Sequence, residues 1–135
     1  ILTPHPGEMA RLCDVTPPDV QANRVGMASQ FAKEFNTIMV LKGAQTIVSL
    51  PDGQSFICPT GNPGMASGGM GDVLTGLIGS LIAQGLTAFD AATLGVYLHG
   101  FAADRLQSSF GDAGLLATDV MREIPAARQA LAKEA

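Results

Sequence analysis

Asp72 is the residue in this chain best placed to do chemistry. Gly61, Gly64, Gly68, Gly69 and Gly71 precede it, and an apolar run follows, Val73, Leu74, Leu77, Ile78, Leu81 and Ile82. That run keeps to one broad face of a helix, which therefore starts close to Asp72. A helix start leaves backbone N–H groups unpaired and carries partial positive charge. Glycines let such a backbone approach a ligand closely. The loop is thus suited to cradle a phosphate, with a carboxylate beside it. An anion cradle next to a proton acceptor is what phosphoryl transfer to a hydroxyl requires. The plain alternative is a glycine-rich turn whose Asp caps a core helix.

The elements that must position this stretch alternate between helix and strand. Ile1-Leu2 reads as a strand end, and Thr3-Pro4-His5-Pro6-Gly7-Glu8 as a rigid loop set by its prolines. A short helix over about Glu8–Leu12 follows. Thr16-Pro17-Pro18-Asp19 starts a helix whose apolar stripe runs to about Phe35. Thr37–Leu41 is a buried strand running into the turn Lys42-Gly43. Thr46–Leu50 and Ser55–Cys58 are two strands joined by Pro51-Asp52-Gly53. After the glycine loop and its helix, which stops at Gly85, Thr87 caps another helix with Asp90 three residues on. Ser108–Gly114 reads as a loop, and Asp112 within it as a turn former. Thr118 caps a last helix from Asp119 to about Leu131, and Lys133–Ala135 is expected to fray. The alternation predicts an α/β layered fold with a mainly parallel sheet, and ligands bind such sheets at the carboxyl ends of their strands.

The 135 residues are enough for one small domain with a real core, and 47% hydrophobic with 15% charged residues describes a globular chain. A net charge of −4 argues against a general nucleic-acid surface, and no apolar stretch is long enough to span a membrane. Cys13 and Cys58 stand apart without metal-ligand spacing, and read as reduced, packed thiols of a cytoplasmic protein. The opening ILTPHPGE, with no leading Met, reads as the interior of a longer chain.

Three segments in order carry a resemblance: LTPHPGE at residues 2–8, LKG at 41–43, and NPGMASGGMGDVLTG at 62–76. Together they resemble the NAD(P)H-hydrate dehydratase family of the ribokinase-like superfamily. The resemblance implies a three-layer ribokinase-like α/β fold, of which residues 1–135 form the C-terminal portion of a single domain. It implies repair of hydrated NADH or NADPH: a nucleotide's terminal phosphoryl group passes to the ring hydroxyl, phosphate leaves, and the double bond re-forms. GGMGD looks like the ADP-using form, with ATP as the other donor. By the same resemblance, Asp72 is the base and contacts the hydrated cofactor, as does His5. Gly69, Met70 and Gly71 hold the transferring phosphate, and Lys42, Gly43, Ala44, Gln45 and Thr46 hold the adenine nucleotide. Mg²⁺ is expected on charge grounds, with no acidic cluster to specify its ligands. A homo-oligomer and an NAD(P)H-hydrate epimerase, fused or paired, are further expectations.

Each assignment has a structural alternative. His5 can be a loop residue bonded to backbone, and Lys42 a solvated lysine at a strand end. Glu8 reads as an electrostatic cap of the short helix. Asn62 either shapes the loop through an Asx turn or touches nucleotide. Met65 and Met70 read as packing, His99 as a bonded core histidine, and Asp104 with Arg105 as a solvated face. The rival functions are a small-alcohol or vitamin-precursor kinase of the same superfamily, and an inactive fragment or interaction module.

Overall fold

A computed structural model describes residues 1–111 and 113–134; Asp112 and Ala135, and the readings made for them, lie outside the described residues. The chain divides into two compact units, Ile1–Cys58 and Pro59–Ala135.

The first unit holds three helices and a small sheet: α1 (Pro6–Cys13), α2 (Pro17–Ala22), α3 (Arg24–Glu34), β1 (Met39–Leu41), β2 (Ile47–Ser49) and β3 (Ser55–Ile57). The sheet order is β1-β2-β3 with both pairings antiparallel; Val40 faces Val48, and Val48 faces Phe56. Among the described residues the parallel pairing implied by the alternation occurs only between Leu2 and Met39, where the Leu2 amide bonds the Ile38 carbonyl and the Val40 amide bonds the Leu2 carbonyl. The hairpin turn follows from Asp52, whose carboxylate accepts from the Gln54 amide at 2.9 Å. Met9, Ala10, Val20, Ala28, Phe31, Ala32, Met39, Leu41 and Ile47 form this unit's core.

The stripe expected to make one helix out to Phe35 makes two. Thr16 and Asp19 mark the anticipated helix entry, where they form a capping box for α2. The chain then breaks at Asn23 (φ −147°, ψ 54°), whose side chain caps α3 by accepting from the Gly26 amide. An Asx-type bond competes locally with helix continuation, which the apolar spacing alone does not reveal.

The second unit contains a 3₁₀ turn (Pro63–Met65) and three helices: α4 (Met70–Ala83), α5 (Ala88–Phe110) and α6 (Ala117–Glu134). The expected stop at Gly85 is present. The Gly85 amide bonds the Ile82 carbonyl and the Leu86 amide bonds the Leu81 carbonyl, the paired bonds of a Schellman motif. Thr87 caps α5 as anticipated, accepting from the Asp90 amide at 3.1 Å. But α5 continues through Ser108 to Phe110, where a loop was expected, and α6 starts at Ala117, not Asp119. Asp119 sets that start by accepting from the Leu116 amide at 3.0 Å, so Thr118 lies inside the helix. Leu98, Ala102, Ala103, Leu115, Val120 and Ala127 form a core with Met70 at the head of α4. Small residues bring the helices close; a β-carbon on Gly95 would stand 2.7 Å from Ile78 Cγ1.

Neither cysteine forms a disulfide among the described residues; Cys58 is buried, and burial pushes the Cys13 thiol above its ordinary value. No helix among the described residues is long and apolar enough to cross a membrane.

Candidate active site

The glycine loop ends as the sequence requires. Gly69 is the N-cap of α4 at φ +86°, a conformation that disfavours any side chain. Its carbonyl accepts from the amides of Asp72 and Val73, both at 3.1 Å. The amides of Gly69, Met70 and Gly71 have no partner among the described residues. Three donors therefore stand open at the positive end of a helix, and the exposed carboxylate of Asp72 follows them directly. Met70 itself is buried and packs in the core, as expected.

The loop is held from α5. Asp104 accepts from the Gly61 amide at 2.8 Å and from Asn62 Nδ2 at 3.0 Å. Asn62 Oδ1 accepts in turn from the Gly64 amide at 3.0 Å, which is the Asx turn anticipated for it. Thr60 donates its hydroxyl to the Tyr97 carbonyl at 2.8 Å. Gly100 lets α5 approach this backbone, since a β-carbon there would lie 2.5 Å from Thr60 Oγ1 and 2.8 Å from the Gly61 amide. Asp104 is therefore not part of a solvated face. Arg105 is exposed as expected, and its Nε donates to Glu123 at 2.7 Å while its guanidinium carbon lies 5.9 Å from the centre of the Phe101 ring. The signal for Asp104 was its spacing: a small residue and an acceptor at i and i+4 share a helix face, and together they fit a neighbouring backbone.

His99 is a core histidine, only 5% exposed, but it is not bonded as expected. Its Nε2 is buried without a partner among the described residues. Burial pushes its pKa down to about 4.

In the first unit His5 is the N-cap of α1. Its Nδ1 accepts from the Gly7 amide at 3.0 Å and the Glu8 amide at 3.2 Å. Nδ1 is thereby an acceptor, so the neutral ring carries its proton on Nε2. Glu8 completes the capping box by accepting from the His5 amide at 2.7 Å. It also lies 3.6 Å from Lys42 Nζ and 3.6 Å from His5 Nε2. The His5 amide holds the Glu8 carboxyl below its ordinary value; burial opposes it, and Lys42 adds a smaller pull in the same direction as the amide. Glu8 is the cap it was expected to be and also the partner of Lys42, which is half-buried rather than freely solvated.

Residues 42–46 form the β1–β2 turn, with left-handed backbone at Gly43 (φ +140°) and Gln45 (φ +55°). Thr46 Oγ1 donates to the Gly43 carbonyl at 3.1 Å. Arg24, at the start of α3, reaches this turn; its guanidinium donates to the carbonyls of Leu41, Lys42 and Ala44. The sequence reading passed over Arg24. A cation in the first turn of a helix opposes the macrodipole, and that was the available sign of a partner elsewhere.

Among the described residues no three His, Cys, Asp or Glu side chains gather as a metal site. Mg²⁺ usually binds through one or two carboxylates plus substrate phosphates and keeps several waters. The residues present fit Mg²⁺ arriving on a nucleotide's phosphates, and fit no resident metal cage.

Open amides at a helix start beside a carboxylate are suited to holding an anion such as phosphate. The sequence profile described as NAD(P)H-hydrate dehydratase matches residues 1–126, and the chain belongs to that family. It is 49% identical over 125 residues to the bifunctional NAD(P)H-hydrate repair enzyme Nnr of Moorella thermoacetica, covering 93% of this chain and 24% of that protein. It is 48% identical over 129 residues to the ADP-dependent (S)-NAD(P)H-hydrate dehydratase of Neisseria meningitidis serogroup B, covering 95% and 43%. The crystal structure of the ADP/ATP-dependent NAD(P)H-hydrate dehydratase of Bacillus subtilis, co-crystallised with ATP/Mg²⁺, superposes with a TM-score of 0.92 at 36% identity, covering 96% of this chain and 47% of that one. The fold is the ribokinase-like α/β fold expected from the motifs. The chain spans less than half the length of these proteins.

Proposed function

We propose that this chain carries the phosphoryl-transfer machinery of a nucleotide-dependent NAD(P)H-hydrate dehydratase. The observation that carries the reading is the row of open amides at Gly69, Met70 and Gly71 directly before the Asp72 carboxylate. These amides hold the terminal phosphoryl group of ADP or ATP, and Asp72 contacts the hydrated nicotinamide. As the ring hydroxyl attacks phosphorus, Asp72 takes its proton and the bond to the leaving nucleotide breaks; with ADP the product is AMP. The carbon–oxygen bond of the phosphorylated ring then breaks, its electron pair leaving on phosphate. A proton departs from the neighbouring carbon and the double bond re-forms. Hydroxide is a poor leaving group and phosphate a better one, which is why nucleotide is consumed.

His5, with its N–H directed through Nε2, contacts the hydrated dinucleotide as a donor. Residues 42–46 hold the adenine nucleotide. Mg²⁺ comes with the nucleotide and offsets phosphate charge. ADP as the donor is supported by the name of the N. meningitidis relative, and ATP with Mg²⁺ by the B. subtilis crystal. A fused or paired epimerase activity and homo-oligomeric assembly complete the proposal, and cysteines outside any disulfide are in keeping with the cytoplasm.

The test incubates the full-length protein with hydrated NADH and either ADP or ATP, and follows the absorbance of reduced nicotinamide. Recovery that depends on nucleotide, with release of inorganic phosphate, is expected. No recovery with either nucleotide, alongside phosphorylation of some other small alcohol, overturns the reading in favour of a kinase.

A further inference from the structure

Arg24 reaches 17 to 20 residues along the chain to bond one turn, and it does so with three carbonyls at once. It forms no ion pair with a carboxylate among the described residues, and its Nε is buried without a partner. Burial lowers its pKa. A partly desolvated guanidinium without a counter-charge is costly unless its bonds serve a purpose. The geometry around it is built to admit it. The break at Asn23 places Arg24 at the head of α3, and the carbon-free face of Gly43 leaves room, since a β-carbon there would lie 2.9 Å from Arg24 Nη2.

The consequence lies in the peptide planes. No peptide bond among the described residues is cis. In a trans peptide the N–H points opposite to the C=O. Turning the Lys42 and Ala44 carbonyls onto Arg24 therefore turns the Gly43 and Gln45 amides the other way. Neither amide has a partner among the described residues, and both residues are exposed.

We propose that Arg24 is a positioning residue for the nucleotide: by pinning the Lys42 and Ala44 carbonyls it presents the Gly43 and Gln45 amides as a matched pair of donors to acceptor atoms of the bound adenine nucleotide. This rests on the reading of residues 42–46 as the nucleotide loop. Arg24 itself touches no ligand in this account.

The test compares full-length wild type with Arg24→Met, which keeps the aliphatic stem, and Arg24→Lys, which keeps the charge but replaces the planar two-nitrogen fork with a single nitrogen. Binding of Mg-ADP and Mg-ATP is measured by calorimetry, and the KM for hydrated NADH separately. Loss of the fixed amide pair should weaken nucleotide binding by about tenfold or more in Arg24→Met, with Arg24→Lys between it and wild type. The hydrated-NADH KM should change by less than about twofold, the split that a general loss of structure would not give. Wild-type nucleotide affinity in both variants overturns the inference. So do equal losses for both ligands with a lowered unfolding midpoint, which would assign Arg24 to the fold alone. If Arg24→Met does not fold, Arg24→Lys decides by the same split. A wild type that binds neither nucleotide overturns the nucleotide-loop reading as well.

Discussion

His99 makes acid sensitivity a quantitative matter. Its imidazole is 5% exposed, its Nε2 has no partner among the described residues, and burial holds its pKa at about 4 against an ordinary 6.5. The folded-state value is the lower one, so in the window between them the unfolded chain binds a proton that the folded chain refuses. Stability attributable to neutral His99 is therefore fully present above pH 6.5, falls as pH drops toward 4, and is lost below it. Each pH unit in that window costs about 1.4 kcal/mol, so the whole window costs about 3 kcal/mol, a large share of an ordinary domain's stability. His99→Leu removes the titrating group and leaves an apolar side chain of similar bulk. Urea unfolding of wild type and His99→Leu at steps from pH 7.5 to pH 4 should show curves that diverge below pH 6.5 by about 3 kcal/mol in total, with the variant less acid-sensitive. Curves that stay parallel across the window would refute the account of His99 as a buried neutral imidazole.

Other expectations follow from the glycine loop. Asp72→Ala should lower turnover by about 10² to 10⁴-fold while leaving the unfolding midpoint nearly unchanged, because the carboxylate is exposed; turnover close to wild type removes it from the base role. Gly71→Val should weaken nucleotide binding by about tenfold or more by filling the space over the open amides, and unchanged affinity in calorimetry would displace the phosphate from that bend. Asp104→Ala removes the acceptor for the Gly61 amide and Asn62, and should cost about 1–3 kcal/mol in urea unfolding; no loss of stability would mean that the loop holds its shape without α5.

What the sequence made legible was local. The face of α4 and its stop at Gly85, the Thr16–Asp19 and Thr87–Asp90 caps, and the Pro51-Asp52-Gly53 turn each depend on residues within about a turn of one another. The motif around Asp72 was legible for the same reason. What stayed hidden depends on partners far along the chain. Asp104 is 43 residues from Gly61, and Arg24 is 20 from Ala44. No periodicity announces such pairs. The break at Asn23 was hidden by an apolar stripe that runs on through it. The bland reading of His5 was right about what Nδ1 does, yet it said nothing of which nitrogen keeps the proton; that follows only once both acceptor contacts are seen.

The two loops assigned to nucleotide in the proposed function present backbone donors whose direction is set by a side chain or a glycine elsewhere. At Gly69–Gly71 the donors stand open because Gly69 turns left-handed ahead of α4, and at Gly43 and Gln45 because Arg24 holds the intervening carbonyls. An amide carries no proton to gain or lose near neutral pH, so such donors bind an anion equally well at pH 5 or 8 for as long as the backbone keeps its shape. Activity lost on acidification then has two separable sources. One is the ionisable groups at the chemistry, and the other is unfolding driven by His99, which lies on α5 with Gly100 and Asp104, the residues against which the glycine loop is set. His99→Leu divides them. Acid loss of turnover that survives in the variant belongs to the reacting groups, and the part that disappears belongs to the helix that holds the loop.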